Sequence, residues 1–223
     1  MCGVIGYSGP SNEVLVSSLF RENNIRGQHA TGISWVEGST LRTFIHPGPA
    51  EEFLKVVPPK ALQSECLIGH SRYSTSSLEH NQPISDGAVS VVHNGVVSQS
   101  SPESWKREFG FKCVTENDSE LLLHAWTGST HPLSFYPQAS IAACVLDGSS
   151  LAFFRNGKRP LWYWEGTDYV VAVSARNILQ RVVEKSHPKK CDPYVEYRCV
   201  GSALSEHRIE ASDFQKDWQY GSL

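Results

Sequence analysis

Short apolar runs, broken by polar and glycine- or proline-containing turns, set the pattern of this chain. Gly3-Val4-Ile5-Gly6-Tyr7 predicts a strand over residues 3–8, beginning almost at the chain terminus. Ser11 is placed to cap a helix from residue 13 to about 25, with Leu15, Leu19 and Phe20 on its apolar face. Strands are expected over 32–36 and 41–45, joined at the hairpin signal Glu37-Gly38. A short helix around 51–57 lies between prolines. Residues 66–73 are apolar first and polar afterwards, a strand running into a site, and a further strand over 89–93 ends on Asn94-Gly95. Helices are expected over 102–109 and 119–126, the second with Leu121, Leu122 and Ala125 as its stripe. Three or four strands come next, over 139–146, 151–155, 161–164 and 169–174, and then a short helix over 175–183. Beyond Lys185 the chain is polar, with one more strand expected over 195–200 and a peripheral end after Glu206. Strands dominate both halves without regular β-α-β alternation, which suits an α+β fold of antiparallel sheets covered by helices.

Composition narrows the classes of function. The 223 residues are 40% hydrophobic, with six Trp and nine Phe, enough for a sizeable core. The net charge of −3 is spread through the chain, and no basic block points to nucleic acid or a membrane surface. No apolar run approaches the ~18 residues that would cross a bilayer, and no secretory signal follows Met1. The six cysteines are scattered without a CxxC, as expected of reduced thiols in a cytoplasmic protein.

The candidate chemistry begins at the terminus. Cys2 is small enough for an aminopeptidase to remove Met1, which would leave a thiol and a free α-amine on one carbon. Such an amine titrates near ~7.7–8.0, so part of it is neutral and able to take the thiol proton. That is a nucleophile with its own base. Three strand ends offer partners. Arg72, in GHSRYST, has the fork that matches a carboxylate, or is a surface ion pair. Asn94-Gly95, in VVHNGVV, can hold an oxyanion with an amide and a backbone N–H, or is a turn. Asp118, in TENDSE, is either a helix cap or the counter-charge of an ammonium group.

The segments MCGVIGYSG, RGQHATGISW, GHSRYST, QPIS, VVHNGVV, TENDSELLLH, FFRNGKRPLWYW and YVVAVSARNIL together resemble the class II glutamine amidotransferase domain. That domain is the glutaminase part of enzymes such as glucosamine-6-phosphate synthase and amidophosphoribosyltransferase. The resemblance covers about residues 2–183 and implies the N-terminal-nucleophile hydrolase fold, a four-layer αββα sandwich of two antiparallel sheets between helix layers. It implies Cys2 as nucleophile with its freed amine as general base, and Asn94 and Gly95 as the oxyanion pair. It also implies Arg72 for the glutamine α-carboxylate, Asp118 for the α-ammonium, Arg26 beside the nucleophile and Thr75 in the substrate-lining segment. The implied reaction is thiolate attack on the side-chain amide of glutamine, loss of ammonia, and hydrolysis of a γ-glutamyl thioester. Three positions depart from the family pattern: His29 where Asp is frequent, Tyr73 where Trp is frequent, and Ser76 where His occurs. His29 is expected to be a hydrogen-bonded structural residue, with pH-sensitive activity as the other outcome.

Residues 184–223 form a C-terminal extension expected to pack on the domain or on a partner. They are too few for a synthase domain, and no Gly-rich phosphate loop is present. The expectation is a stand-alone glutaminase supplying ammonia to a separate synthase subunit, with no cofactor, metal, nucleic acid or membrane. The alternatives are hydrolysis of another γ-glutamyl amide and a silent regulatory subunit. His187, Cys191, Cys199 and His207 in the tail have spacings that fit no zinc pattern and read as an ordinary loop. Trp105, Trp126, Trp162, Trp164 and Trp218 read as core or interface aromatics.

Overall fold

The computed structural model describes residues 1–74 and 80–210. The first half contains β1 (Gly3–Ser8), α1 (Glu13–Asn23), β2 (Ala30–Glu37), β3 (Thr40–Pro47), α2 (Ala50–Val56), α3 (Pro59–Leu62) and β4 (Cys66–Arg72). Then come β5 (Ile84–Ser85), β6 (Val89–Val96), α4 (Pro102–Phe109), α5 (Ser119–Thr127) and α6 (Pro132–Phe135). The chain continues with β7 (Ser140–Asp147), β8 (Ser150–Arg155), β9 (Trp162–Glu165), β10 (Val170–Val173) and α7 (Arg176–Val182). It closes with β11 (Lys189–Lys190), β12 (Val195–Val200) and β13 (Ala203–Arg208).

The strands form a seven-stranded sheet, in the order β11-β9-β10-β1-β4-β2-β3, and a six-stranded sheet, β13-β12-β8-β7-β6-β5. Every paired neighbour is antiparallel. Alternation along each strand creates the layers. On β7, Ala142, Cys144 and Leu146 join the core between the two sheets, while Ile141, Ala143 and Val145 pack beneath α4, α5 and α6. On β1, Val4 enters the inter-sheet core, and Ile5 and Tyr7 pack under α1, α2, α3 and α7. The result is the four-layer αββα sandwich. Because both faces of the central strands are buried, they read as continuous apolar runs rather than an alternating pattern.

Several local expectations are corrected. Asn12, not Ser11, caps α1: its Oδ1 accepts the Leu15 N–H at 3.0 Å. The helix stops at Asn23, and a single 3-10 turn, Asn24–Arg26, carries the chain to Gly27. A Cβ at Gly27 would lie 2.2 Å from the Arg72 carbonyl carbon, so a glycine lets this segment press against the end of β4. The strand expected to end before Asn94-Gly95 runs through both, pairing them with Ala142 and Ile141 of β7, so this pair is not a turn. The short elements β5, α3 and α6 carry too few apolar residues to stand out in the sequence.

The tail holds more strand than expected. β11 pairs with β9, while β12 lies between β8 and β13. The Arg155 Nε–H donates to the Cys191 carbonyl at 2.7 Å and anchors this segment. β13 is an exposed edge strand of mostly polar residues, so nothing apolar marked it. Trp218 lies outside the described residues.

Candidate active site

Cys2 stands immediately before β1, in the middle of its sheet, and β1 pairs with β4 so that Gly3 faces Ser71. The side chain of Asn23, fully buried at the end of α1, donates through Nδ2 to Ser71 Oγ at 3.0 Å and ties the helix to this edge. The strand ends β1, β4 and β6 therefore converge, and a cleft of about 600 Å³ opens there. Met1, Cys2, Arg72, Asn94, Gly95 and Asp118 all line it. Thr75 and Ser76 lie outside the described residues.

The half-buried Cys2 thiol donates weakly to the Tyr73 carbonyl oxygen at 3.8 Å. Burial in the inter-sheet core pushes the thiols of Cys66, Cys144, Cys191 and Cys199 upward in pKa. Cys191 and Cys199 therefore point inward while His187 and His207 are exposed, which splits the tail quartet between core and surface. Arg26 does not line the cleft but reaches it, its Nη2 lying 3.9 Å from the Met1 sulfur. Burial lowers the Arg26 pKa and the neighbouring Cys2 thiol opposes that shift, while Arg159 adds to it. Arg159 approaches the Met1 sulfur from another side, with Nη1 also at 3.9 Å. The Nε atoms of both arginines are buried without a hydrogen-bond partner.

The Arg72 Nη1 group donates to the His80 carbonyl at 2.7 Å and to Asn81 Oδ1 at 2.5 Å, which orients the fork. Burial lowers its pKa, and Cys2 acts in the opposite sense. The Arg26 and Arg72 guanidiniums thus both act on the surroundings of Cys2 and make this end of the cleft electropositive. Asn94 is 4% exposed, and its Nδ2 is buried without an acceptor. Such an orphaned donor costs about 1–3 kcal/mol unless something arrives to accept from it. Gly95 has φ +147°, and a Cβ there would fall 1.6 Å from the Ser140 carbonyl oxygen.

Asp118 precedes α5 but makes no capping hydrogen bond to it. Its Oδ2 accepts the Val97 N–H at 2.7 Å, and its Oδ1 lies 3.7 Å from His93 Nε2. The capping role falls to Asn117, whose Oδ1 accepts from Ser119 N at 3.0 Å while its Nδ2 donates to the His80 carbonyl at 2.9 Å. Reading the sequence passed over Asn117, Gln82, His93 and Arg159. Gln82 Oε1 accepts the His93 N–H at 2.6 Å, and His93 Nδ1 lies 2.7 Å from Ser119 Oγ. Each of these four stands in or beside a motif already singled out, and proximity to those motifs was the available signal. His29 is exposed, and its Nδ1 accepts the Ser74 N–H at 2.8 Å, the hydrogen-bonded structural role expected.

His70 lies in the same region, 1% exposed, with its pKa pushed down to about 3 by burial first and then by the charges of His93 and Arg72. Unfolding releases it to the ordinary value near ~6.5. Its contribution is complete above that unfolded value and is lost as pH falls from ~6.5 towards the folded value. Between pH 7 and 4.5 the stability should drop by roughly 3 kcal/mol more in the wild type than in His70→Asn. Denaturant unfolding of both proteins across that range measures the difference, and equal slopes would refute the assignment.

No family model matches the chain. Over 134 residues it is 30% identical to the glutamine–fructose-6-phosphate aminotransferase (isomerizing) of Clostridium tetani, covering 56% of this chain and 22% of that one. Over 176 residues it is 29% identical to the Mycolicibacterium paratuberculosis enzyme of the same name, covering 72% of this chain and 28% of that one. The chain thus spans about a quarter of the length of these curated relatives. Among solved structures, the glutamine phosphoribosylpyrophosphate amidotransferase of B. subtilis superposes with a TM-score of 0.80 at 21% identity, over 95% of this chain and 50% of that one. A glutamine aminotransferase class-II domain protein from Silicibacter pomeroyi superposes with a TM-score of 0.61 at 15% identity, over 95% of this chain and 100% of that one. Among the described residues no helix is long and apolar enough to cross a membrane. With sequence relatives and fold in agreement, the chain is similar to the glutaminase part of the class II glutamine amidotransferases and has the N-terminal-nucleophile hydrolase fold.

Proposed function

We propose that this chain is a cytoplasmic glutaminase that hydrolyses glutamine through Cys2 and supplies the ammonia to a synthase. The observation that carries the reading is the convergence, on one cleft, of the Cys2 thiol with an orphaned Asn94 amide, the Arg72 fork and the Asp118 carboxylate. Six free thiols fit a reducing compartment.

In this reading Met1 is removed and the freed amine of Cys2 takes the thiol proton. The α-carboxylate of glutamine pairs with Arg72 and its α-ammonium with Asp118. The thiolate attacks the side-chain amide carbon, and the developing oxyanion accepts from Asn94 Nδ2 and the Gly95 N–H. Arg26 sustains the positive field around the thiolate, and Thr75 belongs to the substrate-lining segment. The terminal ammonium returns its proton to the departing nitrogen, ammonia leaves, and a γ-glutamyl thioester remains on Cys2. Water, deprotonated by the same amine, then releases glutamate and restores the thiol.

Intact mass and glutamine turnover measured on one sample test the proposal. The expected result is loss of Met1, glutamate release, and a transient adduct of one γ-glutamyl group on the N-terminal peptide. Retained Met1 in protein that still turns glutamine over would overturn the mechanism.

A second substrate reading has an observation in its favour. A second cavity of about 590 Å³ adjoins the cleft and shares Val96, Ser98 and Arg159 with it. That room fits a γ-glutamyl amide with a larger leaving group than ammonia, and comparing glutamine with γ-glutamyl anilides in the same assay decides between them.

A further inference from the structure

We propose a second site, separate from the cleft, at which Cys113, Glu120 and His124 bind a divalent transition-metal ion of the zinc type. Glu120 and His124 are one turn apart on α5 and therefore share a face. The segment after α4 folds back over that face and brings Cys113 to it. One ligand atom from each side chain lies within 4.8 Å of the others.

Two features of the cluster point to a cation rather than to packing alone. His124 Nε2 is buried without a hydrogen-bond partner, and it faces Glu120 Oε1 at 3.5 Å, too far for a hydrogen bond. An imidazole nitrogen and a carboxylate oxygen thus confront each other, with a thiol beside them. The ligands are also held in place from outside. Glu120 is almost fully buried; its Oε2 accepts from Thr115 N at 2.7 Å and Thr115 Oγ1 at 2.6 Å. Among the described residues its Oε1 accepts the Val114 N–H, at 2.8 Å, and faces His124 Nε2 with its other side. Phe111 stacks on the His124 ring at 5.2 Å and 16° and restrains its rotation. Outer partners of this kind orient ligands in metal sites.

The donor set selects the ion. One sulfur, one imidazole nitrogen and one carboxylate oxygen suit zinc and its neighbours, whereas calcium and magnesium call for oxygen ligands throughout. Cys113 is half-buried and its neighbour Val114 is 84% exposed, so an ion can enter from solvent. Bound there, it would clamp residues 113–115 onto α5, whose first turn follows Asn117 and Asp118 at the wall of the cleft.

Cobalt(II) titration of the full chain tests this, in a Cys2→Ala background that removes the competing terminal chelate. The expected result is one equivalent bound, with a thiolate-to-cobalt charge-transfer band that zinc displaces. Cys113→Ser should abolish the band, and His124→Gln should weaken binding by at least the roughly 10–100-fold that losing even an outer partner costs. A measurement without either variant stands beside it: zinc, but not magnesium, should protect Cys113 from alkylation by iodoacetamide, read by peptide mass. Absence of the band, a band that survives Cys113→Ser, or alkylation unaffected by zinc would each reduce the cluster to an ion pair with a neighbouring thiol.

Discussion

Asn94→Ala should lower kcat for glutamine hydrolysis by about 10²–10³-fold with little change in KM, the loss seen when one oxyanion donor is removed. The amide is 4% exposed and its Nδ2 has no acceptor in the described structure, so its hydrogen bond is free to form with charge that develops on the substrate. A contact made only in the transition state moves kcat rather than KM. The same substitution removes an unsatisfied buried donor, so the usual penalty for deleting a hydrogen-bonding group does not apply. The melting temperature should therefore stay within a few degrees of wild type, the cost being a small vacated volume. Steady-state kinetics and a thermal melt of the same preparation separate the two effects. A kcat within about threefold of wild type would remove Asn94 from the oxyanion role.

Gly95→Ala should destabilise the fold by about 3–5 kcal/mol and lower the melting temperature by about 10 °C or more. Two independent causes act at this position. A φ of +147° lies where side-chain-bearing residues are strained. The added Cβ would also fall 1.6 Å from the Ser140 oxygen and 2.6 Å from the Ser140 carbonyl carbon, backbone atoms of the paired strand β7 that cannot swing aside. Relief requires β6 and β7 to separate just where the cleft begins, so turnover should fall even in the fraction that folds. A variant that melts like wild type would mean that the strand takes another conformation at Gly95.

The two neighbours also illustrate what could be read without coordinates. Asn94-Gly95 stood out as a dipeptide able to hold an oxyanion, but the same two letters are a common turn signal. Their pairing with Ala142 and Ile141 removes the turn reading, and it depends on residues almost fifty positions away. Asp118 was likewise open between cap and counter-charge; its bond to Val97 N and the capping by Asn117 remove the first option. Arg159 was passed over because nothing near it in sequence involves Cys2. Its place beside the N-terminus follows from Arg155, which donates to the Arg159 carbonyl at 2.8 Å and fixes the turn.

What the sequence alone determined is local: where strands and helices lie, which thiol would gain an amine on the same carbon once Met1 is removed, and which strand ends carry polar groups. Composition and turn residues act over a few positions, so such features are legible in a single chain. The tertiary structure alone decided the layering, the membership of the tail in both sheets, and the convergence of residues 2, 26, 72, 94, 118 and 159. Antiparallel pairing joins strands distant in sequence, and doubly buried strands lose the alternation that would reveal their faces. The side chains that meet in the cleft are thus neighbours only because two sheets pack, and no local pattern encodes that packing.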